Sequence, residues 1–408
     1  MNDKRTVFYF SPIPHNFLYQ RPQQLVREWR SNYRDSYEFY YVDPPGIKYF
    51  VARRLGRLRR SLERVLLKKQ DKDDEDQYVL SWFGVPRAVL GYPLPKRISQ
   101  GGLSVKLIDF FVRRAQEQRR GRGQQKVAIV ASPFWEPFIS RDTFDLICYD
   151  YLDAIEFFSV AAGYPALDLH RKLVAKSDIV FVTAQNLKDD IRSIVDGKDV
   201  VMVSNGADVA FFEKKKNAHL IVDYTQTSKK TVGYVGTLYT VDRNLVYTAA
   251  RTLPDVDFLL VGPLHKHSEH QAHKKPDNVF ILGTKKYRHV PAYVNIFDVG
   301  IIPFKSGAIS DSIDPVKLYE YFSLGKPVVA TGMEQLKKFD DGRLLRIAEG
   351  PDEFVDAILG FLKHDTQAWR ESRREIARDN SWLSKATLIM TSIERKMAEQ
   401  LDAAELLS

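Results

Sequence analysis

The chain has 408 residues, 44% hydrophobic and 28% charged, which is the composition of a folded globular protein and too much sequence for one ordinary core. No apolar run approaches the roughly 18 residues of a membrane-spanning helix, and the single cysteine, Cys148, excludes an intramolecular disulfide and suits a reducing compartment. The net charge of +9 is uneven: residues 48–122 carry 19 Lys and Arg against 8 Asp and Glu, and the remainder carries 42 against 44. In chain order, a strand is expected over 7–10, its apolar run too short and too soon broken by Pro12 and Pro14 for a leader peptide. A helix over 21–29 and strands over 38–42, 77–82, 126–130 and 146–151 follow. After them come a helix over 167–175 and strands over 179–183 and 200–203, ending in the turn signal Ser204-Asn205-Gly206-Ala207-Asp208.

The polar stretch 214–230 reads as a linker, after which the pattern restarts. Strands are expected over 230–235, 257–261, 279–282, 299–303 and 327–330, several of them ending in glycine or proline: Gly236, Gly262-Pro263, Gly283 and Pro303. Helices are expected over 244–252, 290–295 and 316–324, and a long one over 384–401. Alternating strands and helices predict an α/β protein with two doubly wound halves, which take ligands at the carboxyl ends of their strands. The expected division is 1–208, 209–383 and a returning helix in 384–408.

The stretch 314–329 concentrates the chemistry. Asp314 is placed to cap a helix that opens at Pro315, and Lys317 and Glu320 lie three apart near its N-terminal end. A helix N-terminus with a basic side chain suits a diphosphate, and a carboxylate can accept two hydrogen bonds from a vicinal diol. The same residues equally describe a capped helix with one ion pair. Lys317-Leu-Tyr-Glu320-Tyr-Phe-Ser-Leu-Gly325-Lys-Pro327-Val-Val resembles the donor-site signature of GT-B glycosyltransferases that build bacterial surface polysaccharides. The likeness extends to Val235-Gly236-Thr237-Leu238, Phe258 to Pro263, Val279 to Gly283, Asp298 to Pro303 and Ser204 to Asp208. Tyr19-Gln-Arg21-Pro22-Gln-Gln-Leu25 and Tyr149-Asp150-Tyr-Leu-Asp153 are most similar to the teichuronic-acid-type, family 4-like subgroup.

The resemblance implies two Rossmann-like domains facing a cleft, the acceptor bound by the first and a nucleoside-diphosphate sugar, UDP-linked on family grounds, by the second. Glu320 would bind the donor ribose and Lys317 a phosphate. Gly236 would admit the diphosphate beside Thr237 and Arg243, Gly283, Thr284 and Lys285 would border the base, and Pro303 would close the facing strand. The chain departs from the family at Thr237 and Asp242, where many relatives carry Arg and Lys, and at Ser312, eight residues before Glu320, where many carry Glu; the contact that glutamate makes is then missing or falls to Asp311 or Asp314. No metal or other cofactor is expected.

In the first half an acid able to take a proton from an acceptor hydroxyl is needed for an inverting transfer. Asp150 is the first candidate, then Asp153, His15 and Glu136, with Asp153 equally readable as the cap of a helix near 154–158. His265, His267, His270 and His273 read as a solvated loop. Arg53, Arg54, Arg57, Arg59, Arg60 and Arg64 interleave with leucines at helical spacing, and 103–122 repeats that chemistry. Basic amphipathic helices over 51–69 and 103–122 are therefore expected, facing anionic lipid or packed on the domain core. Arg21 joins them as an acceptor or membrane contact.

The expectation is a cytoplasmic glycosyltransferase, peripheral at the inner face of the membrane, serving a lipid-linked or oligosaccharide acceptor in polysaccharide assembly, with no nucleic-acid partner. A GT-B-type epimerase and a non-catalytic sugar- or nucleic-acid-binding protein are the alternatives.

Overall fold

The computed structural model describes residues 4–15, 20–44, 67–69, 78–80, 125–155, 166–215, 217, 221, 223–264, 274–305 and 312–407. The chain forms two compact units, Met1–Val203 with Ala386–Ser408, and Ser204–Lys385.

The first unit is built on strands β1 (Arg5–Phe10), β2 (Tyr37–Val42), β3 (Leu67–Lys69), β4 (Tyr78–Leu80), β5 (Lys126–Val130), β6 (Leu146–Tyr151), β7 (Ile179–Val182) and β8 (Val200–Met202). They lie in the order β3-β4-β2-β1-β5-β6-β7-β8, all parallel except the β3–β4 pair. The inner strands are apolar at nearly every position, as in Val-Ala-Ile-Val of β5, because helices cover both faces of a parallel sheet. The order reverses between β1 and β5, so the loops after Phe10 and Val130 flank the switch point where such sheets admit ligands. Helices α1 (Arg21–Tyr33), α2 (Ala166–Lys176) and α3 (Gln185–Ile194) flank the sheet.

The basic helix expected over 51–69 is corrected at its end. Leu67, Lys68 and Lys69 pair antiparallel with Leu80, Val79 and Tyr78, which satisfies their backbone groups on the edge strand instead. Arg53, Arg57, Arg60 and Arg64, the second basic stretch over 103–122, Asp311 and the four histidines lie outside the described residues. Among the described residues no helix is long and apolar enough to cross a membrane.

The second unit carries β9 (Lys230–Val235), β10 (Val256–Val261), β11 (Val279–Gly283), β12 (Val299–Ile302), β13 (Val328–Thr331) and β14 (Leu345–Ala348), all parallel, in the order β11-β10-β9-β12-β13-β14. This is the doubly wound dinucleotide-fold order, with its switch point between β9 and β12. Its helices are α4 (Val209–Lys214), α5 (Arg243–Thr252), α6 (Val290–Ile296), α7 (Val316–Ser323), α8 (Pro351–Lys363) and α9 (Gln367–Asp379). Helix α4 ends at the first residue of the expected linker: Phe212 is buried and Asp208 caps the helix through the Phe211 amide. The helix α10 (Trp382–Leu407) belongs to the first unit from Ala386 onward, where the Trp29 indole donates to the Ala386 carbonyl at 2.9 Å and Arg395 meets Asp199 at 2.7 Å.

Candidate functional site

The second unit brings the predicted donor residues to the carboxyl edge of its sheet. Strand β9 ends at Val235, whose amide donates to the Tyr321 hydroxyl at 2.9 Å, so helix α7 is pinned to the strand it follows in space. The same ring fills the place where a Cβ on Gly300 would stand, which brings α7 close against β12. Gly236 donates to Val261 at 2.9 Å, and Gly262 passes so near the Gly236 carbonyl that a Cβ there would overlap it. Only glycine permits that approach. The next turn is closed by Tyr234, whose hydroxyl donates to the Thr237 carbonyl at 3.2 Å. Burial pushes the Tyr234 phenol up, with the Glu320 charge adding to it, so it stays a neutral donor.

Asp242, where relatives carry a cation, caps α5: its carboxylate accepts from the Asn244 and Leu245 amides at 3.0 and 3.1 Å. Its own amide donates to the Pro303 carbonyl at 2.7 Å, which ties the start of α5 to the end of β12 and places Arg243 at the first helical position beside the switch point. Thr237 is exposed and Arg243 half-buried there.

On α7, Lys317 Nζ lies 2.9 Å from Glu320 Oε2; the Glu320 side chain is 3% exposed and that of Lys317 25%. Among the described residues nothing hydrogen-bonds Glu320 Oε1, so one oxygen holds the lysine and the other remains for a ligand. Gly325, in the left-handed region at φ 71°, ends the helix and its amide donates to Phe322 at 2.8 Å. The expected cap is corrected: the helix starts at Val316 with Pro315 in the cap position, and Asp314 turns away from it. The Asp314 carboxylate accepts from the Asn205 amide and from the Tyr319 hydroxyl at 3.1 Å, and Asn205 Nδ2 donates to the Asp314 carbonyl at 2.7 Å. This carboxylate holds the Asn205-Gly206 turn, and burial raises its pKa. A side chain so engaged is a poor substitute for the missing glutamate at Ser312.

Gly283 lies at φ 66° and accepts from the Gly262 amide at 2.9 Å, which places β11's end beside the glycine turn; Thr284 is exposed. Lys285 is drawn into an ion pair with Asp223, whose other oxygen accepts from Tyr293. A cavity of about 380 Å³ lies at the opposite end of α7, lined by Ser323, Leu324, Glu371, Arg374 and Arg378. Its charges are already paired, Arg378 with Glu371 at 2.8 Å, and it stands apart from Lys317.

In the first unit the order of the candidate acids is revised. Asp150 is 0% exposed; Arg21 grips both its oxygens at 2.8 and 3.2 Å, and the Tyr9 hydroxyl donates to it at 2.8 Å. Arg21 is itself 3% exposed and also donates to the Val203 carbonyl at 2.9 Å. Neither can meet a substrate or a membrane: the pair is internal, with every role filled. Sequence reasoning had both residues and missed that they are partners. Glu136 is likewise held by Lys176 at 2.6 Å.

Asp153, two residues beyond the end of β6, differs. Among the described residues no group hydrogen-bonds its carboxylate, and burial raises its pKa to about 6 against the partial opposition of Arg21. His15 sits in the loop after the switch strand β1, on the β2 side; its amide donates to Asp43 at 2.7 Å and its ring packs edge-on against Tyr41 at 5.0 Å.

Two units, each with a doubly wound parallel sheet and the second with a basic–acidic pair at its switch-point helix, define the GT-B class of fold. Residues 229–364 match the family model described as Glycosyl transferases group 1, so the second unit is a group 1 glycosyltransferase domain. The chain is 27% identical over 219 residues to TuaH of Bacillus subtilis (strain 168), a glycosyltransferase assigned to teichuronic acid biosynthesis. That match covers 52% of this chain and 55% of the relative, just over half of its length. Among solved structures, sucrose-phosphate synthase from Thermosynechococcus elongatus superposes with TM-score 0.63 at 15% identity, covering 98% of this chain and 100% of that one. Anabaena HepE in complex with UDP and glucose gives TM-score 0.62 at 14% identity, with 96% and 99% covered. These likenesses establish the fold.

Proposed function

We propose that the protein transfers a sugar from a UDP-linked donor to a hydroxyl of a lipid-linked or oligosaccharide acceptor in cell-surface polysaccharide assembly. The observation that carries this reading is the Lys317–Glu320 pair, buried on the carboxylate side and partly exposed on the lysine side, near the N-terminal end of α7 beside the β9–β12 switch point. Glu320 Oε1 takes the ribose diol. Lys317, Arg243 and the α7 N-terminus neutralise the leaving diphosphate. The UDP complex of HepE supports the choice of base, and TuaH supports the polysaccharide setting. In the first unit Asp153 takes the acceptor hydroxyl: a carboxyl with pKa about 6 is ionised at neutral pH yet basic enough to accept a proton. No metal is assigned a part.

UDP is expected to raise the melting temperature more than GDP, CDP or ADP at equal concentration, since only a ligand of the folded state stabilises it. A larger shift with another nucleotide would overturn the assignment of the base. The basic stretch over 48–122 supports docking on anionic lipid at the cytoplasmic face. Flotation is expected with phosphatidylglycerol vesicles and to be lost with neutral vesicles or in high salt; equal recovery on both would refute the docking.

A further inference from the structure

The short turn that carries Asp153 is held on both sides by hydroxyl groups. Before it, Thr183 Oγ1 donates to the Leu152 carbonyl at 2.8 Å; after it, the Ile155 amide donates to the Tyr151 phenol oxygen at 3.2 Å. Thr183 is buried at the end of β7 and Tyr151 is the last residue of β6, so both anchors stand on the sheet.

The Tyr151 anchor is backed by a second layer. Its hydroxyl donates to Asp190 Oδ2 of α3 at 3.0 Å, and the same oxygen faces His170 Nε2 of α2 at 3.1 Å. His170 is fully buried, and its Nδ1 lies 3.1 Å from the Tyr149 hydroxyl. An ionised carboxylate only accepts, so Nε2 carries a proton toward Asp190, while Nδ1 pairs with the Tyr149 hydroxyl. Burial would push Asp190 up, but the bonds from His170 and Tyr151 more than offset it and hold the carboxyl below its ordinary value. Two arms thus converge on Asp190: the Tyr149–His170 pair from one side, and Ile155 through Tyr151 from the other.

A purely structural core would more cheaply be apolar than this array of hydroxyl, imidazole and carboxylate groups. We propose that Thr183, Tyr151, Asp190 and His170 are positioning residues for Asp153, fixing the turn so that its carboxylate meets the acceptor hydroxyl in one orientation. This rests on the reading of Asp153 as the group that takes the acceptor proton. The ionisable groups in electrostatic contact with Asp153 are Arg21 from α1 and Tyr149 from β6; neither is altered by the variants below.

The test uses the full-length protein and transfer kinetics across pH. Thr183→Val keeps the side-chain shape and removes the hydroxyl, and Tyr151→Phe keeps the ring. Each is expected to lower kcat by roughly 10–100-fold, the scale of a displaced catalytic group, with the donor KM unchanged and the acid limb of the pH profile moved. Thr183→Ser restores the hydroxyl and is expected to restore both. If Asp153→Asn abolishes transfer and its acid limb while Thr183→Val and Tyr151→Phe retain wild-type kcat and profile, the positioning role is wrong and the reading of Asp153 stands. Equal loss in Thr183→Ser and Thr183→Val would also overturn it, because the hydroxyl would not be the agent. If Asp153→Asn transfers normally, the reading fails and the positioning role with it.

Discussion

Replacing Asp150 with alanine is expected to destabilise the first unit by about 3–5 kcal/mol, the cost of leaving one member of a buried ion pair alone. Arg21 would keep its charge at 3% exposure without its carboxylate partner, and the buried Tyr9 hydroxyl would lose its acceptor. Removing the charges together, as Arg21→Met with Asp150→Leu and Tyr9→Phe, should recover much of the loss, since apolar replacements of a buried pair are often neutral. Urea unfolding followed by tryptophan fluorescence gives the comparison through Trp29, which lies 5.9 Å from Tyr9 between ring centroids. A loss under about 1 kcal/mol, the scale of a surface ion pair, would show that the pair is not the internal brace described here.

Asp153 should respond in the opposite sense. Its carboxyl is raised from the ordinary 3.8 to about 6 by burial, so the folded state binds the proton more tightly than the unfolded chain. Below pH 3.8 both states are protonated and the group contributes nothing. Between 3.8 and 6 the unfolded chain ionises first and stability falls; above 6 the penalty is complete. Asp153→Asn should therefore unfold at a higher temperature than the wild type at pH 7.5, with the difference vanishing near pH 3.5. Two acids three residues apart are separated in this way into an internal brace and the proposed proton acceptor.

Much of this was legible in the sequence, and the gaps have physical causes. The parallel strands of both units announce themselves as unbroken apolar runs, and the glycines at their ends mark the switch-point loops. Strand β14 was missed because Leu-Arg-Ile-Ala sits on the sheet edge with Arg346 exposed, so its pattern is diluted. Helix α9 was missed because it reads as polar all round. Its buried residues are Arg373 and the small Ala377, both 0% exposed, and Arg373 is bonded to the Gly325 carbonyl at 3.0 Å and Asp365 at 2.7 Å. An arginine on a core face defeats hydrophobic periodicity. The same limit hid the Arg21–Asp150 contact: 129 residues separate the two, and no local pattern connects a helix start to a strand end that far away. Lys317 and Glu320, three apart on one helix, were legible because their relation is local.

That locality gives the second large effect. Glu320→Gln removes the negative charge, so the side-chain oxygen that faces the ribose diol no longer makes charge-assisted bonds to it. A hydrogen bond to a charged group contributes about 1.5–3 kcal/mol, which corresponds to roughly a 10- to 150-fold loss of UDP affinity. Lys317→Ala should weaken UDP by a similar factor through the phosphate, and more steeply at low salt. The two losses separate with probes that each lack one group. Uridine, without phosphates, should bind Lys317→Ala nearly as well as the wild type and still discriminate against Glu320→Gln. The 2′,3′-dideoxy diphosphate, without the diol, should reverse that pattern. Because Lys317 Nζ already sits 2.9 Å from Glu320 Oε2, either variant also disturbs its partner, and the double variant should lose less than the sum. If all three probes bind both variants as they bind the wild type, the pair is only an intrahelical ion pair, and α7 is not the donor site.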